Sequence, residues 1–484
     1  MTLQALLSVR SVSPKVRAVF AVGSLALAAG CLFGLDFGRV APLLIALVLS
    51  MFVLAAGLET IMLIWFLLSM AFQWWQGFEL GAGLPSITVD RYFLLLGTLS
   101  LALHREHIRL PGRYGRWLLR VDSVYLLLAI FLILLRPVSL RAELLSWVST
   151  ALLPLVALFL GLQVKQDEVW WGRLVTCVPV MVLYLLIPAI YERVSSTPLI
   201  STSWYNGLLS TGGIRSPSLA GSPTTLSFSV VLLAPLTIYL VTQARSKLAV
   251  VGATLIFLGN LVTAFCAGYR TGWLALLVIF ILSLRLLPRS RSFLLTFLMI
   301  SIAIGIAMIG PLSSSTFVQE RVLDPTNIVG RYDLIGMQFK NAAGSWLFGH
   351  NAYVAWSVDL TSRETVSSHN TFSTLLLYFG LTGLVLFVAV WVLAGLTGIR
   401  ALGMQRCPED GGERVAIFLL VLIGAFVTAM AHDNRFFVTG TIVQYFFIGL
   451  GIQRADEILE RGSAADRARL VSSAVASTSS SGEI

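Results

Sequence analysis

The residues best suited to chemistry in this chain are three arginines and one histidine between positions 215 and 369. A guanidinium is always charged, and its planar fork suits bidentate binding of phosphate oxygens. An imidazole, with an unperturbed pKa of about 6.5, suits the deprotonation of a hydroxyl near neutral pH. The residues are Arg215, Arg270, Arg331 and His369. Together they could bind a phosphorylated donor and activate an acceptor hydroxyl.

Each arginine also has an ordinary structural interpretation. Arg270 lies in a short connection between two apolar runs, where an arginine commonly extends its charge to the membrane interface. Arg215 follows two glycines in a polar loop and could be a solvated charge. Arg331 could pair with Asp333 or Asp324. Residue type alone therefore leaves both interpretations open.

The histidine has a competitor of the same type. His350 and Asn351 repeat the His-Asn pair that begins at His369, within one polar segment. Because His350 directly follows a Phe-Gly pair, its surroundings look structural, and we favour His369 as the general base. The tetrapeptide from His432 to Arg435, at the last predicted outer turn, is a further polar cluster that we interpret as structural or acceptor-facing.

Composition identifies the class of protein that must position these residues. Of the 484 residues, 57% are hydrophobic and 12% are charged, and the mean hydropathy is +0.86, which excludes a soluble globular chain. Apolar runs near the roughly 20 residues that cross a bilayer as a helix predict an all-α polytopic membrane protein with about fourteen transmembrane helices. The runs begin near Val19, Val40, Thr60, Val89, Val121, Leu144, Trp171, Pro223, Leu248, Thr271, Leu294, Thr371, Val415 and Phe436.

The distribution of lysine and arginine tests this topology, because cytoplasmic loops carry the basic excess. With the N-terminus inside, both termini are predicted to be cytoplasmic, and the basic segments fall on the same side. These segments are Arg10 to Arg17, His104 to Arg120, Arg245 to Lys247, Arg285 to Arg291 and Arg400 to Arg406. The formal net charge of +10 therefore follows largely from topology, and we predict no nucleic-acid partner.

Two long polar segments fall on the opposite side, at about residues 191–222 and 313–370. Loops of this length in a compact protein are usually functional or disordered. The second mixes aromatic residues with charges and predicts short amphipathic helices on the membrane surface. We predict one integral-membrane helical domain over residues 1–452. A mobile cytoplasmic tail is predicted over 453–484, where the composition changes to charged and then Ser/Thr-rich sequence.

We predict no cofactor and no metal requirement. The carboxylates of the second outer segment are scattered, with no Asp-x-Asp pair to bind a divalent cation. They are Asp324, Asp333, Asp359 and Glu364. Of the four cysteines, three fall in apolar runs and one in an inner loop, so no external disulfide is predicted.

Four short motifs occur in a set order between about residues 213 and 383. They are Arg215 before a Gly-Ser-Pro sequence, the Tyr-Arg-Thr-Gly-Trp turn at Arg270, Arg331 ahead of Leu347-Phe-Gly349, and His369-Asn370 followed by Gly380 and Gly383. In this order they resemble the bacterial O-antigen ligase and polysaccharide polymerase family, most strongly over about residues 213–396. Tyr378 departs from the pattern, because it stands where this family often has a carboxylate.

The resemblance implies a metal-independent glycosyltransferase of the bacterial inner membrane with a periplasmic active site. Its donor would be a glycan on undecaprenyl diphosphate, and its acceptor a hydroxyl of a glycan or of lipid A core. The expected site residues are the diphosphate-binding Arg215, Arg270 and Arg331, the general base His369, and the supporting Asn370 and Tyr269. The product would be O-antigen, capsule or exopolysaccharide, and other assembly and export proteins would be partners.

Several alternatives stay open from sequence. We favour a polymerase over a ligase that joins glycan to lipid A core, because of the number of predicted spans and the long tail. A lipid-linked glycan flippase or transporter is the alternative of another class. Transporters usually place ionisable residues near mid-membrane, often in repeated halves, whereas most charges here lie at span ends. A cell-wall glycan polymerase of the elongation and division type shares the architecture but fits the motifs less well.

Overall fold

The computed structural model describes the chain in separate ranges, and its secondary structure within them is helical. The ranges are 50, 54, 57–73, 87–104, 108–135, 140–197, 199, 215–307, 333, 335–336, 338–340, 342–349, 370–404, 412–432 and 438–480. The prediction of an all-α multi-pass membrane protein is confirmed at this level. The predicted spans near Val19 and Val40 lie outside the described residues.

The helices begin close to the predicted starts of the apolar runs. In chain order they are α1 (Leu58–Ala71), α2 (Val89–Leu103), α3 (Arg113–Leu135), α4 (Leu140–Trp147), α5 (Leu153–Gln163), α6 (Glu168–Ser195), α7 (Pro223–Gln243), α8 (Lys247–Ala267), α9 (Arg270–Leu286), α10 (Arg291–Ala307), α11 (Thr371–Gly403), α12 (Gly412–Ala431) and α13 (Val438–Ser480). A π-helical turn at Val148–Leu152 joins α4 to α5, so that Glu143–Gln163 forms one continuous span.

The predicted number of spans is not confirmed by the described residues. Seven helices in the described ranges are long and apolar enough to cross a membrane, or eight if a bent pair counts as one span, so fourteen is not confirmed. Helices α1, α2 and α9 have 14, 15 and 17 residues, fewer than the roughly 20 that cross a bilayer. Near Leu287 and Pro288 the chain bends by 107° between α9 and the next helical segment. Apolar composition therefore marks helices without distinguishing full spans from shorter ones.

The centre of the bundle is formed by α7, α12 and the first half of α13. The apolar windows of α7 and α12 are 78% and 72% buried, whereas those of α3 and α8 are 33% buried and face outward. Helices α5 and α13 cross at two glycines. A Cβ on Gly161 would collide with the Phe446 carbonyl oxygen, and one on Gly449 with the Leu158 carbonyl oxygen. Small residues thus allow the close backbone approach that membrane helices use for packing.

Hydrogen bonds and ion pairs join the helix termini at one end of the bundle. The Asp456 carboxylate accepts from the backbone N–H of Gly115 at 2.9 Å. An Arg289 guanidinium nitrogen lies 3.1 Å from the Glu413 carboxylate. We call this the basic end, and it is defined by Arg113 at the start of α3, Arg289 between α9 and α10, Glu413 at the start of α12 and Asp456 within α13. It brings together chain segments that the lysine and arginine distribution assigns to one side of the membrane.

Composition predicts that a mobile tail begins at residue 453. The C-terminal helix continues well beyond that residue. Helix α13 extends to Ser480, so the described backbone is helical across most of that region. Ala455 and Ile458 are buried, and Asp456 accepts hydrogen bonds from the N–H groups of Tyr114 and Gly115. The first turns of the predicted tail are therefore part of the packed bundle, because one carboxylate caps the start of α3.

Candidate functional site

The opposite end of the bundle holds Arg215, and a buried carboxylate organises its segment. Glu192, near the end of α6, is fully buried. It accepts hydrogen bonds from the Ser216 hydroxyl, from the Ser218 N–H at 2.7 Å and from the Leu199 N–H at 3.1 Å. The described part of the predicted loop 191–222 is thus packed on the helices. Three donors on one carboxylate fix the backbone that carries Arg215.

The same segment is bonded to the turn that presents Arg270. The Ser216 N–H donates to the Cys266 carbonyl oxygen at 3.1 Å, in the last turn of α8. Gly268 ends that helix with a φ of 61°, a left-handed conformation that favours glycine. The chain then reverses through Tyr269 into α9, whose first residue is Arg270. Arg270 therefore lies at a helix N-terminus, where the backbone N–H groups and the helix dipole also favour an anion.

His432 lies beside both of these segments. It follows directly after α12, and its ring centroid is 4.7 Å from that of Tyr269. Burial, with a further contribution from the Arg215 charge, lowers the pKa of His432 to about 4. The imidazole is therefore neutral at physiological pH and can both donate and accept a hydrogen bond. From sequence we interpreted this histidine as structural or acceptor-facing. The polar tetrapeptide that begins at His432 is the sequence feature that pointed to it.

Asn370 completes this end of the bundle as the N-cap of α11. Its Oδ1 accepts from the N–H groups of Phe372 at 2.8 Å and Ser373 at 3.0 Å, as a capping asparagine does. Its Nδ2 donates to the Met430 carbonyl oxygen at 2.6 Å, in the last turn of α12. The Thr371 hydroxyl donates to the His432 carbonyl oxygen at 2.8 Å. The cap thus connects α11 to the His432 segment.

Four of the six expected site residues lie in the described part of the chain, and they share this end. Arg215, Tyr269, Arg270 and Asn370 come from three separate segments that meet around His432. We call this the site end. The other two, Arg331 and His369, lie outside the described residues, as does the competing His350.

Gly349 and Gly380, both noted in the sequence, lie where two stretches of backbone pack closely against each other. Gly380 interrupts α11 with φ 65° and ψ −167°, and Gly349 has a φ of 71°. The N–H of Leu381 donates to the Trp346 carbonyl oxygen at 2.8 Å, and the Thr382 N–H donates to that of Leu347 at 3.3 Å. The Leu-Phe-Gly motif therefore docks directly on the break in α11.

We expect Gly380→Ala to destabilise this docking. The Gly380 conformation is essentially confined to glycine and costs another residue about 1–3 kcal/mol. An alanine Cβ would in addition collide with the Leu347 carbonyl group. The melting temperature of the detergent-solubilised protein should fall. Gly403→Ala, on the same helix but with open space around its Cβ, is the matched control and should leave it nearly unchanged. Equal melting temperatures for the two variants would contradict the prediction.

We also expect acidification to destabilise the fold through His432. The pKa of this residue falls from an ordinary value of 6.5 to about 4 in the folded protein. Between these values the unfolded chain takes up a proton that the folded chain does not, so the free energy of unfolding decreases as the pH falls. Thermal unfolding followed from about pH 7.5 to about pH 4.5 should show a smaller loss of stability in His432→Gln than in the wild type.

The comparison variant for this measurement is His104→Gln, which removes a histidine at the C-cap of α2, away from the site end. A wild-type slope in His432→Gln would show that this histidine does not contribute to the acid sensitivity.

No protein-family model matches the chain, and no curated protein matches it. The resemblance to the O-antigen ligase and polymerase family thus rests on the ordered motifs of the sequence. By its structure, the chain is a helical multi-pass membrane protein that brings Arg215, Tyr269, Arg270, Asn370 and His432 to one end of the bundle.

Proposed function

We propose that this chain is a membrane glycosyltransferase that moves a glycan from undecaprenyl diphosphate to an acceptor hydroxyl at the periplasmic face of the bacterial inner membrane. One observation carries the proposal: the segments that carry Arg215 and Arg270, 55 positions apart in the sequence, are joined at the site end by the Ser216–Cys266 hydrogen bond, and His432 lies near Arg215 and contacts Tyr269. Two guanidinium groups anchored on rigid segments suit a ligand with two adjacent phosphates.

The donor determines what the protein must do. A glycosyl diphosphate already has a good leaving group, so the protein mainly holds the diphosphate, stabilises its growing negative charge and positions the acceptor. Arg215 and Arg270 bind the diphosphate, assisted by the N-terminus of α9 and by Arg331. The dipole of that helix adds to the charge of Arg270 at the oxygen on which negative charge accumulates.

The acceptor hydroxyl is activated by His369. The acceptor oxygen forms a bond to the anomeric carbon as the bond from that carbon to the phosphate oxygen breaks. The hydroxyl proton moves to the imidazole of His369, and the bonding electron pair leaves with undecaprenyl diphosphate. Asn370 supports the base, because its bonds to Met430 and to the first turn of α11 fix the backbone next to it. Tyr269 supports the arginines through its position between Arg270 and the His432 ring.

The neutral His432 has a consistent place in this scheme. A protonated His432 ring could only donate hydrogen bonds and could not accept a proton. A neutral ring beside Tyr269 can instead hydrogen-bond a sugar or acceptor hydroxyl without adding charge. Within this class we favour polymerisation of a lipid-linked repeat over transfer to lipid A core.

The experiment that tests the function is a reconstitution of the purified chain in liposomes. The donor is an undecaprenyl diphosphate-linked repeat unit, offered alone or with lipid A core, and products are resolved on a gel. A ladder from donor alone identifies a polymerase, and a single shift that requires lipid A core identifies a ligase. Either activity should persist in EDTA. Movement of the lipid-linked glycan across the bilayer without transfer would instead identify a flippase and contradict the proposal.

A further inference from the structure

A cavity of about 190 Å³ opens at the basic end of the bundle, opposite the proposed active site. It lies between three helices and is lined by Arg113, Tyr114 and Trp117 of α3, by Leu393 and Thr397 of α11, and by Ile452 of α13. Most of its wall is hydrocarbon, and its main charged group is the guanidinium of Arg113. The cavity therefore combines an apolar interior with a cationic side chain.

The face of α3 beside this cavity carries a stripe of arginines. Arg113, Arg116, Trp117 and Arg120 are spaced i, i+3, i+4 and i+7, which places them on one face of the helix. All four side chains are exposed. The Arg120 guanidinium lies 5.6 Å from the centroid of the Trp117 ring, within the range of a cation–π interaction. Arg113 and Trp117 thus line the cavity, and Arg116 and Arg120 add two positive charges to the same face of α3.

A buried carboxylate offsets only part of this charge. Asp456 contacts the start of α3, is 4% exposed and interacts electrostatically with Arg116. Its two oxygens accept from the backbone N–H groups of Tyr114 and Gly115, at 3.1 and 2.9 Å. The Arg116 guanidinium donates to the Pro111 carbonyl oxygen at 2.8 Å, a neutral acceptor that leaves its charge in place. The stripe therefore remains a positively charged surface.

The position of the stripe determines what can reach it. Helix α3 is one of the candidate membrane spans and begins at Arg113, so the arginines lie at the level of the lipid headgroups, while the helix below them is apolar. Basic pockets between membrane helices are suited to headgroups that carry several phosphate charges. An exposed tryptophan beside them suits the boundary between headgroups and acyl chains.

We propose that this cavity is a binding site for an anionic phospholipid of the cardiolipin type. The phosphates contact Arg113 and Arg116, with Arg120 supplying further charge, and one acyl chain lies in the cavity against Trp117 and Leu393. This site is separate from the proposed active site, since it lies at the other end of the bundle, and it does not depend on the proposed function. A lipid held there would bridge α3 and α11, the helix whose N-cap is Asn370.

The test is a lipid titration of the full-length chain in detergent. Cardiolipin is added, and its binding is followed by native mass spectrometry and by the rise in melting temperature. We expect Arg113→Gln/Arg116→Gln to weaken cardiolipin binding by roughly 20- to 30-fold, from the typical contribution of a basic residue near an anionic headgroup. The matched control is Arg245→Gln/Arg285→Gln, which removes two exposed charges at other helix termini and should bind cardiolipin as the wild type does.

A second variant separates the acyl chain from the charges. Leu393→Trp fills the cavity but keeps all three arginines, and it should also weaken cardiolipin binding; it serves as the test if the arginine pair fails to fold. Phosphatidylethanolamine should compete poorly. Equal cardiolipin affinity in the wild type and both cavity variants would overturn the proposal. So would full competition by inorganic phosphate, because the site would then recognise the phosphate alone rather than a lipid.

Discussion

Replacing His369 with alanine is expected to lower the rate of glycan transfer by about 10²- to 10⁴-fold, the usual contribution of a general base. The physical reason is that the acceptor hydroxyl must lose its proton as it attacks, and the proposed mechanism assigns that proton to His369. Transfer would be measured in liposomes with the undecaprenyl diphosphate-linked donor, at equal amounts of folded protein. The loss should appear mainly in kcat, since the imidazole acts on the reacting proton.

His350→Ala is the matched control, because the sequence places the same His-Asn pair there. It should retain most of the activity. A loss confined to His350→Ala would transfer the role of base to that residue. Near wild-type transfer by His369→Ala, at normal membrane levels, would remove His369 from the mechanism.

Arg215→Gln and Arg270→Gln are each expected to lower kcat/KM by about 10- to 150-fold. A hydrogen bond to a charged group contributes about 1.5–3 kcal/mol, and about 1.4 kcal/mol corresponds to a tenfold change. The double variant should lose less than the product of the two single losses, because both side chains bind one diphosphate and their effects are coupled. Inhibition by added inorganic diphosphate should weaken in the same variants, which measures binding independently of transfer.

Arg215→Lys and Arg270→Lys should be more active than the glutamine variants but less active than the wild type, because lysine keeps the charge but not the bidentate geometry. Arg285→Gln provides the control, since Arg285 is an exposed arginine in the last turn of α9, while Arg270 begins the same helix. It should transfer glycan at the wild-type rate. If inorganic diphosphate inhibited the double variant as strongly as it inhibits the wild type, these arginines would have another role.

The sequence by itself determined the class of the protein and the positions of most helices. High hydropathy with few charges requires a membrane, and apolar runs must be helical where no water satisfies the backbone. A local signal also marked the short connection that carries Arg270, because a turn through a left-handed glycine depends on neighbouring residues only. The assignment of basic segments to one side rests on charge alone, and the bundle brings several of them to one end.

Only the tertiary structure decided which helices are long enough to span and which polar residues meet. The break at Gly380 depends on Leu347, a residue 33 positions away, and the burial of Glu192 depends on the segment that begins at Arg215. The low pKa of His432 likewise arises from burial and from an arginine 217 positions earlier in the chain. Such contacts arise from packing between distant segments, and no local pattern of residues encodes them.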